Sequence, residues 1–159
     1  MFWNICCGKS EIALFKAMLG ICLYSPKNIE NWGSILRAAY NFNVDFVCTI
    51  KARYTRQSTD TINFKYQKPI FRFDDVDQFL DIYPKECGLI NVEILPQSLS
   101  LESFSHFKNA IYVFGPENGS IPKDLTESRT CIKINSNQCL NQAMCAGIVM
   151  FHRQLTLGK

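Results

Sequence analysis

Histidine is nearly missing from this chain. His106 and His152 are the only two, and the eight cysteines include no Cys-x-x-Cys pair, so no ordinary zinc ligand set can be assembled and no metal is expected. The cysteines (Cys6, Cys7, Cys22, Cys48, Cys87, Cys131, Cys139, Cys145) are scattered, several inside apolar runs, which fits buried thiols in a reducing cytosol better than a disulfide framework. Phosphate-gripping glycine loops are missing too: neither GxGxxG nor GxxxxGK[ST] occurs, which excludes the usual nucleotide-binding folds. No apolar run is long enough to span a bilayer, since Lys9, Glu11 and Lys16 break up the apolar N-terminal region, so the chain reads as cytoplasmic with no membrane partner. Net charge is only +3, too little by itself to announce nucleic acid. Internal repeats, low-complexity tracts and long linkers are absent.

What remains is 159 residues, 47% hydrophobic and 19% charged, an ordinary globular balance for one domain. Residues 1–17 read as an N-terminal extension whose structure the sequence leaves open, and 18–159 as the domain. Short apolar runs at 19–23, 45–50, 88–94, 110–114 and 131–134 predict buried strands. Between them, helical spacing predicts helices over 32–41, 74–82 (with Asp74 or Asp75 as cap), 122–128 and 140–155. The last carries an apolar stripe through Leu140, Met144, Gly147, Ile148, Phe151 and Leu155. Strands alternating with helices imply an α/β fold with a mostly parallel sheet, whose ligands sit beyond the carboxyl ends of the strands.

Charge is concentrated in one place. From Lys51 to Arg72 six basic residues, among them Arg53, Arg56, Lys65 and Lys68, face one acid, Asp60, and Tyr54, Phe64, Tyr66, Phe71 and Phe73 interleave with them. That composition suits phosphates and stacked bases, and equally a solvated sheet edge with core aromatics.

Three loops follow predicted strands: "YSPKNIENWGSILR", "FGPENGSIP" and "NSNQCLNQA". Singly, each has a structural explanation. Asn28 or Asn31 can cap a helix, Arg37 can pair with a surface acid, and glycine and proline end strands without binding anything. In order and spacing together, however, they resemble the three motifs of the SpoU/TrmH branch of the SPOUT methyltransferases. The first motif is similar to Asn31, Gly33 and Arg37, the second to Gly115, Glu117 and Ile121-Pro122, and the third to Ile134 followed by Cys139-Leu140-Asn141 and "AMCAGIVMFHR". Cys139 stands where the family has serine, and Ser120 where it has glycine, with Gly119 one place earlier.

The resemblance implies a five- to six-stranded sheet flanked by helices, with a C-terminal deep trefoil knot, an arrangement that general topology rules reject. It implies methyl transfer from S-adenosylmethionine to a ribose 2′-hydroxyl of tRNA or rRNA by a homodimer. Backbone at Val92, Glu93, Gly115, Ile134, Cys139 and Leu140 would hold the cofactor. Arg37, Asn31, Glu117 and Asn141 would form the catalytic set, and Lys51, Arg53, Arg56, Lys65 and Lys68 the RNA surface. Arginine is too weak an acid to serve as a base, so Arg37 is expected to clamp phosphate and stabilise a forming alkoxide. Glu117 is expected to brace the loops. A knotted RNA-binding protein with weakened catalysis is the alternative, favoured by Cys139. The Asn31–Arg37 pair argues against base methylation.

Overall fold

The computed structural model describes residues 17–52, 61–116 and 118–158. Seven strands, β1 (Leu19–Tyr24), β2 (Phe46–Ile50), β3 (Ile70–Phe73), β4 (Gly88–Val92), β5 (Leu99–Ser100), β6 (Ala110–Phe114) and β7 (Thr130–Lys133), form one sheet in the order β3-β2-β1-β6-β4-β7-β5. Every paired neighbour is parallel. Helices α1 (Ile29–Asn41), α2 (Val76–Ile82), α3 (Lys123–Thr126) and α4 (Gln142–Leu157) flank it.

The α/β expectation holds, but five to six strands is corrected to seven among the described residues. The additional strands carry little apolar signal. β3 is an edge strand reading Ile-Phe-Arg-Phe with no fully buried position, and β5 is two residues long. Inner strands have both faces covered and read as continuous apolar runs, β6 being buried at all five positions. Alternation splits them between two cores. Leu23, Tyr112 and Phe114 meet Trp32, Ile35 and Leu36 of α1 and Val149 of α4. Cys22, Ile111 and Val113 face Phe79 of α2 and Leu125 of α3.

Side-chain caps start the helices where the sequence suggests. Asn28 accepts from the Glu30 N–H at 2.8 Å, Asp75 rather than Asp74 accepts from the Gln78 N–H at 2.8 Å, and Asn141 accepts from the Met144 N–H at 2.8 Å. The stripe expected on α4 is not the face that meets the sheet. Gln142, Ala146, Val149 and Met150 are buried instead, leaving Met144, Phe151 and Leu155 at 51%, 55% and 66% exposure. The helix is apolar on two sides, and the side carrying Ala146 is buried in the core shared with α1 and the sheet.

The C-terminal half of α4 closes a polar cluster beneath the sheet. His106, which is buried, contacts the Tyr112 hydroxyl through Nδ1 and His152 Nδ1 through Nε2 at 2.8 Å, while Arg153 donates to the Phe107 and Lys108 carbonyls at 3.0 and 2.6 Å. Burial first, then the charges of His152 and Arg153, pushes the His106 imidazole down from 6.5 to about 4. Glu102 is the acid facing His152. Between those two pH values an unfolded chain binds a proton at His106 that the native state refuses. The His106 contribution to stability therefore rises with pH across that window, by about 2–3 kcal/mol once solvent screening is discounted, and is level above it. Chemical denaturation between pH 4 and 8 should show this slope, and His106→Gln should flatten it; an unchanged slope in that variant assigns it to other groups.

Candidate functional site

Sheet order creates the site. β4 lies between β6 and β7, so three strand ends distant in sequence emerge side by side. The chain after β7 returns through 134–141 to start α4 beside them. The resulting cleft is lined by Val92 and Glu93 from β4, Phe114, Gly115, Pro116 and Gly119 from the loop after β6, and Lys133, Ile134, Cys139, Leu140 and Gln142 from β7 onward. All six residues expected to hold a cofactor (Val92, Glu93, Gly115, Ile134, Cys139, Leu140) are therefore brought together.

Two side chains that the sequence reading did not single out for their side-chain chemistry pin the loop after β6 at both ends. At its start, Gln142, buried on the first turn of α4, donates from Nε2 to the Gly115 carbonyl at 2.6 Å and more weakly to that of Phe114 at 3.4 Å. Both contacts are to carbonyl oxygens, which fixes the amide's orientation and leaves Oε1 buried without a partner. At the loop's far end, Glu93 Oε2 accepts from the Ile121 N–H at 2.9 Å, and Oε1 from the Ile94 N–H at 3.0 Å. A Cβ on Gly115 would stand 3.2 Å from both Glu93 Oε2 and Ile121 Cγ1, a tight contact that one of these side chains would have to relieve. Gly119 takes φ +119°, which supplies the positive-φ turn despite Ser120. The signals available in sequence were a lone carboxylate ending the apolar run "LINVE" and a glutamine directly after a helix cap.

The cysteines divide. Cys22, Cys48, Cys87 and Cys131 are buried free thiols, whereas Cys139 is exposed on the cleft wall. Cys145, also on the wall, has its thiol pushed up to about 11, by burial first and then by Cys139 and Glu93 charge.

Of the expected catalytic residues, Arg37 and Asn31 do not line this cleft, whereas Asn141 lies between its lining residues Leu140 and Gln142. Arg37 is exposed on α1 and donates from Nη2 to Thr61 Oγ1 at 2.9 Å. Asn31 lies on the first turn of the same helix, and Asn141 caps α4. Neither Arg37 nor Asn31 lines the cleft, although α1 packs against α4. Glu117 lies outside the described residues.

The basic stretch is also resolved into parts. Phe64 is fully buried and Phe73 packs edge-on against Phe79, so these two serve packing, whereas Phe71 packs edge-on against Phe46 but stays 48% exposed. Tyr66 is more open still at 79% exposure, with the Lys65 ammonium 4.9 Å above its ring. Lys51 ends β2 in a left-handed conformation at φ +55°, and Lys68 lies 3.9 Å from Asp45. Arg53 and Arg56 lie outside the described residues, as do 1–16 of the expected N-terminal extension. Among the described residues no helix is long and apolar enough to cross a membrane, and no cluster of three or more metal-ligating side chains is present.

Comparison with known structures agrees with this architecture. An AdoMet-bound rRNA methyltransferase from Sinorhizobium meliloti superposes with a TM-score of 0.80 at 17% identity, over 91% of this chain and 58% of that one. A protein whose structure concerns the 2-OH methylation of C/U34 on tRNA gives 0.75 at 18% identity, over 89% of this chain and 97% of its own. AviRb from Streptomyces viridochromogenes, in complex with AdoMet, gives 0.75 at 17% identity, over 92% of this chain and 64% of its own. The chain thus spans about three-fifths of the Sinorhizobium meliloti protein's length. No curated protein matches the sequence. Residues 18–151 match the model of the SpoU rRNA methylase family, and the chain belongs to that family.

Proposed function

We propose that this protein is an S-adenosylmethionine-dependent RNA methyltransferase acting on the ribose 2′-hydroxyl of a tRNA or rRNA nucleotide, as a homodimer. The observation that carries the reading is the convergence of the β4, β6 and β7 carboxyl ends with the start of α4 in one cleft containing all six expected cofactor residues. The cleft suits a nucleoside-bearing cofactor. Val92, Ile134 and Leu140 offer apolar walls, strand-end backbone offers hydrogen bonds, and Gly115 keeps clear the space a Cβ would fill.

When bound, S-adenosylmethionine supplies an electrophilic methyl group on a cationic sulfur. The protein's work is alignment and charge. Arg37 holds an RNA phosphate and stabilises the developing alkoxide, with phosphate or water taking the proton. Asn31 orients Arg37 or the ribose. Asn141 fixes the third loop through its cap, and Glu117 braces the second. Lys51, Lys65 and Lys68, with Arg53 and Arg56, form the RNA surface, where Tyr66 offers an open ring. Threading of α4 through the second loop, as the family's knot requires, is in keeping with the hydrogen bonds from Gln142 to Phe114 and Gly115.

A second copy is favoured by the apolar surface left on the paired helices α1 and α4, where Tyr40, Met144, Phe151 and Leu155 stay exposed. It would also bring an Arg37 to a cleft that the chain's own Arg37 does not line. Nucleoside mass spectrometry of RNA from cells with and without the gene should show loss of one 2′-O-methylated nucleoside. An unchanged profile, joined by failure of the folded protein to bind S-adenosylmethionine, would favour the binding-only alternative that exposed Cys139 raises.

A further inference from the structure

The charged groups lining the cleft, among the described residues, are one carboxylate, Glu93, directly after β4, and one ammonium, Lys133, at the end of the adjacent β7. They differ in how they are held. Lys133 ends a flexible four-carbon stem. Glu93 is fixed by backbone N–H groups on both oxygens, from Ile94 and Ile121, and each oxygen retains a free lone pair. Gly115 brings no Cβ against that carboxylate from the start of the second loop, where one would lie 3.2 Å from Oε2. Its charge is felt across the cleft, since it contributes to raising the Cys145 thiol on the α4 wall. A negative charge fixed in place before binding acts on a ligand's charge without reorganising.

Taking the cofactor assignment above as given, we propose that Glu93 makes the cleft selective for the cationic methyl donor over its neutral product. Transfer moves the methyl group from sulfur to the ribose oxygen. The C–S bond breaks with its electron pair staying on sulfur, a C–O bond forms, and the hydroxyl proton leaves to phosphate or water. The donor's sulfonium charge is thereby lost and the spent cofactor is a neutral thioether at that atom. A fixed carboxylate attracts the first and not the second, so turnover itself loosens the product. Lys133 does not discriminate, because the methionyl carboxylate it suits is common to both ligands.

The test is calorimetric titration of wild type and Glu93→Gln with S-adenosylmethionine, S-adenosylhomocysteine and an amine-bearing, non-transferable analogue. Glutamine keeps the size and one acceptor oxygen, and thermal unfolding checks that the variant is folded. The expected result is about a tenfold loss for the two cationic ligands and less than a threefold change for the homocysteine product. Equal weakening of all three would make Glu93 a loop brace only, and no weakening would remove it from binding; either overturns the selectivity. A wild-type protein that binds none of them overturns the cofactor assignment itself, which is a separate outcome.

Discussion

Arg37→Ala is expected to lower methyl transfer by about 10²–10³-fold while leaving affinity for S-adenosylmethionine within severalfold. The size follows from the role: a guanidinium aimed at a forming alkoxide or its flanking phosphate acts mainly in the transition state. The unchanged affinity follows from placement, because Arg37 sits on α1 with Thr61 as its partner and does not line the cleft. Arg37→Lys should restore only a small part of the rate, since an ammonium keeps the charge but not the planar two-pronged donor. Single-turnover transfer measured beside calorimetry separates the two effects. Activity equal to wild type would remove Arg37 from the mechanism. The same geometry makes a second measurement informative. If the partner's α1 completes each site, mixing Arg37→Ala with a variant crippled in the cleft should regain activity in the heterodimer, whereas an arginine acting within its own chain gives no recovery.

Much of the scaffold was legible because the inner strands are covered on both faces. Runs such as Ala110–Phe114 have no polar position to confuse, and Asn28, Asp75 and Asn141 mark helix starts by chemistry that is local in sequence. The same logic fails at the edges. β3 mixes Arg72 with half-exposed aromatics and resembles a binding surface, and β5 is too short for any period. On α4 the spacing identifies an apolar stripe without saying what covers it, and Met144, Phe151 and Leu155 of that stripe stay exposed. The cleft was legible through the order of three motifs, which gave its backbone contributors by position. Its side-chain supports were less so: Glu93 and Gln142 act on a loop that is 28 and 27 residues away in sequence, and only the β6-β4-β7 order makes them neighbours.

The second large effect is expected at Gln142. Gln142→Glu replaces the donor that meets the Gly115 and Phe114 carbonyls by a carboxylate oxygen, so a buried negative charge faces two acceptors with no compensating donor. The cost should be at least about 3 kcal/mol at neutral pH, close to that of a buried charge stripped of its partner. For a chain of 159 residues that lowers the melting temperature by about 6–12 °C. The sign of the pH dependence follows. Burial against carbonyls holds the new carboxyl's proton more tightly in the folded state than in the unfolded one, so the penalty is absent below the ordinary glutamate range and grows as pH rises through it. Once protonated, the introduced carboxyl also regains a donor for the Gly115 carbonyl. Gln142→Leu should cost only about 1 kcal/mol at any pH, since it removes the orphaned Oε1 along with the donor. Both variants release the start of the loop after β6, so both should weaken S-adenosylmethionine binding, and only the glutamate variant should recover on acidification. Thermal denaturation and calorimetry at pH 5 and pH 8 decide it. A Gln142→Glu protein as stable as wild type at pH 8 would mean that the second loop and α4 are not joined through this amide, and the cleft would lose the contact that holds its two halves in register.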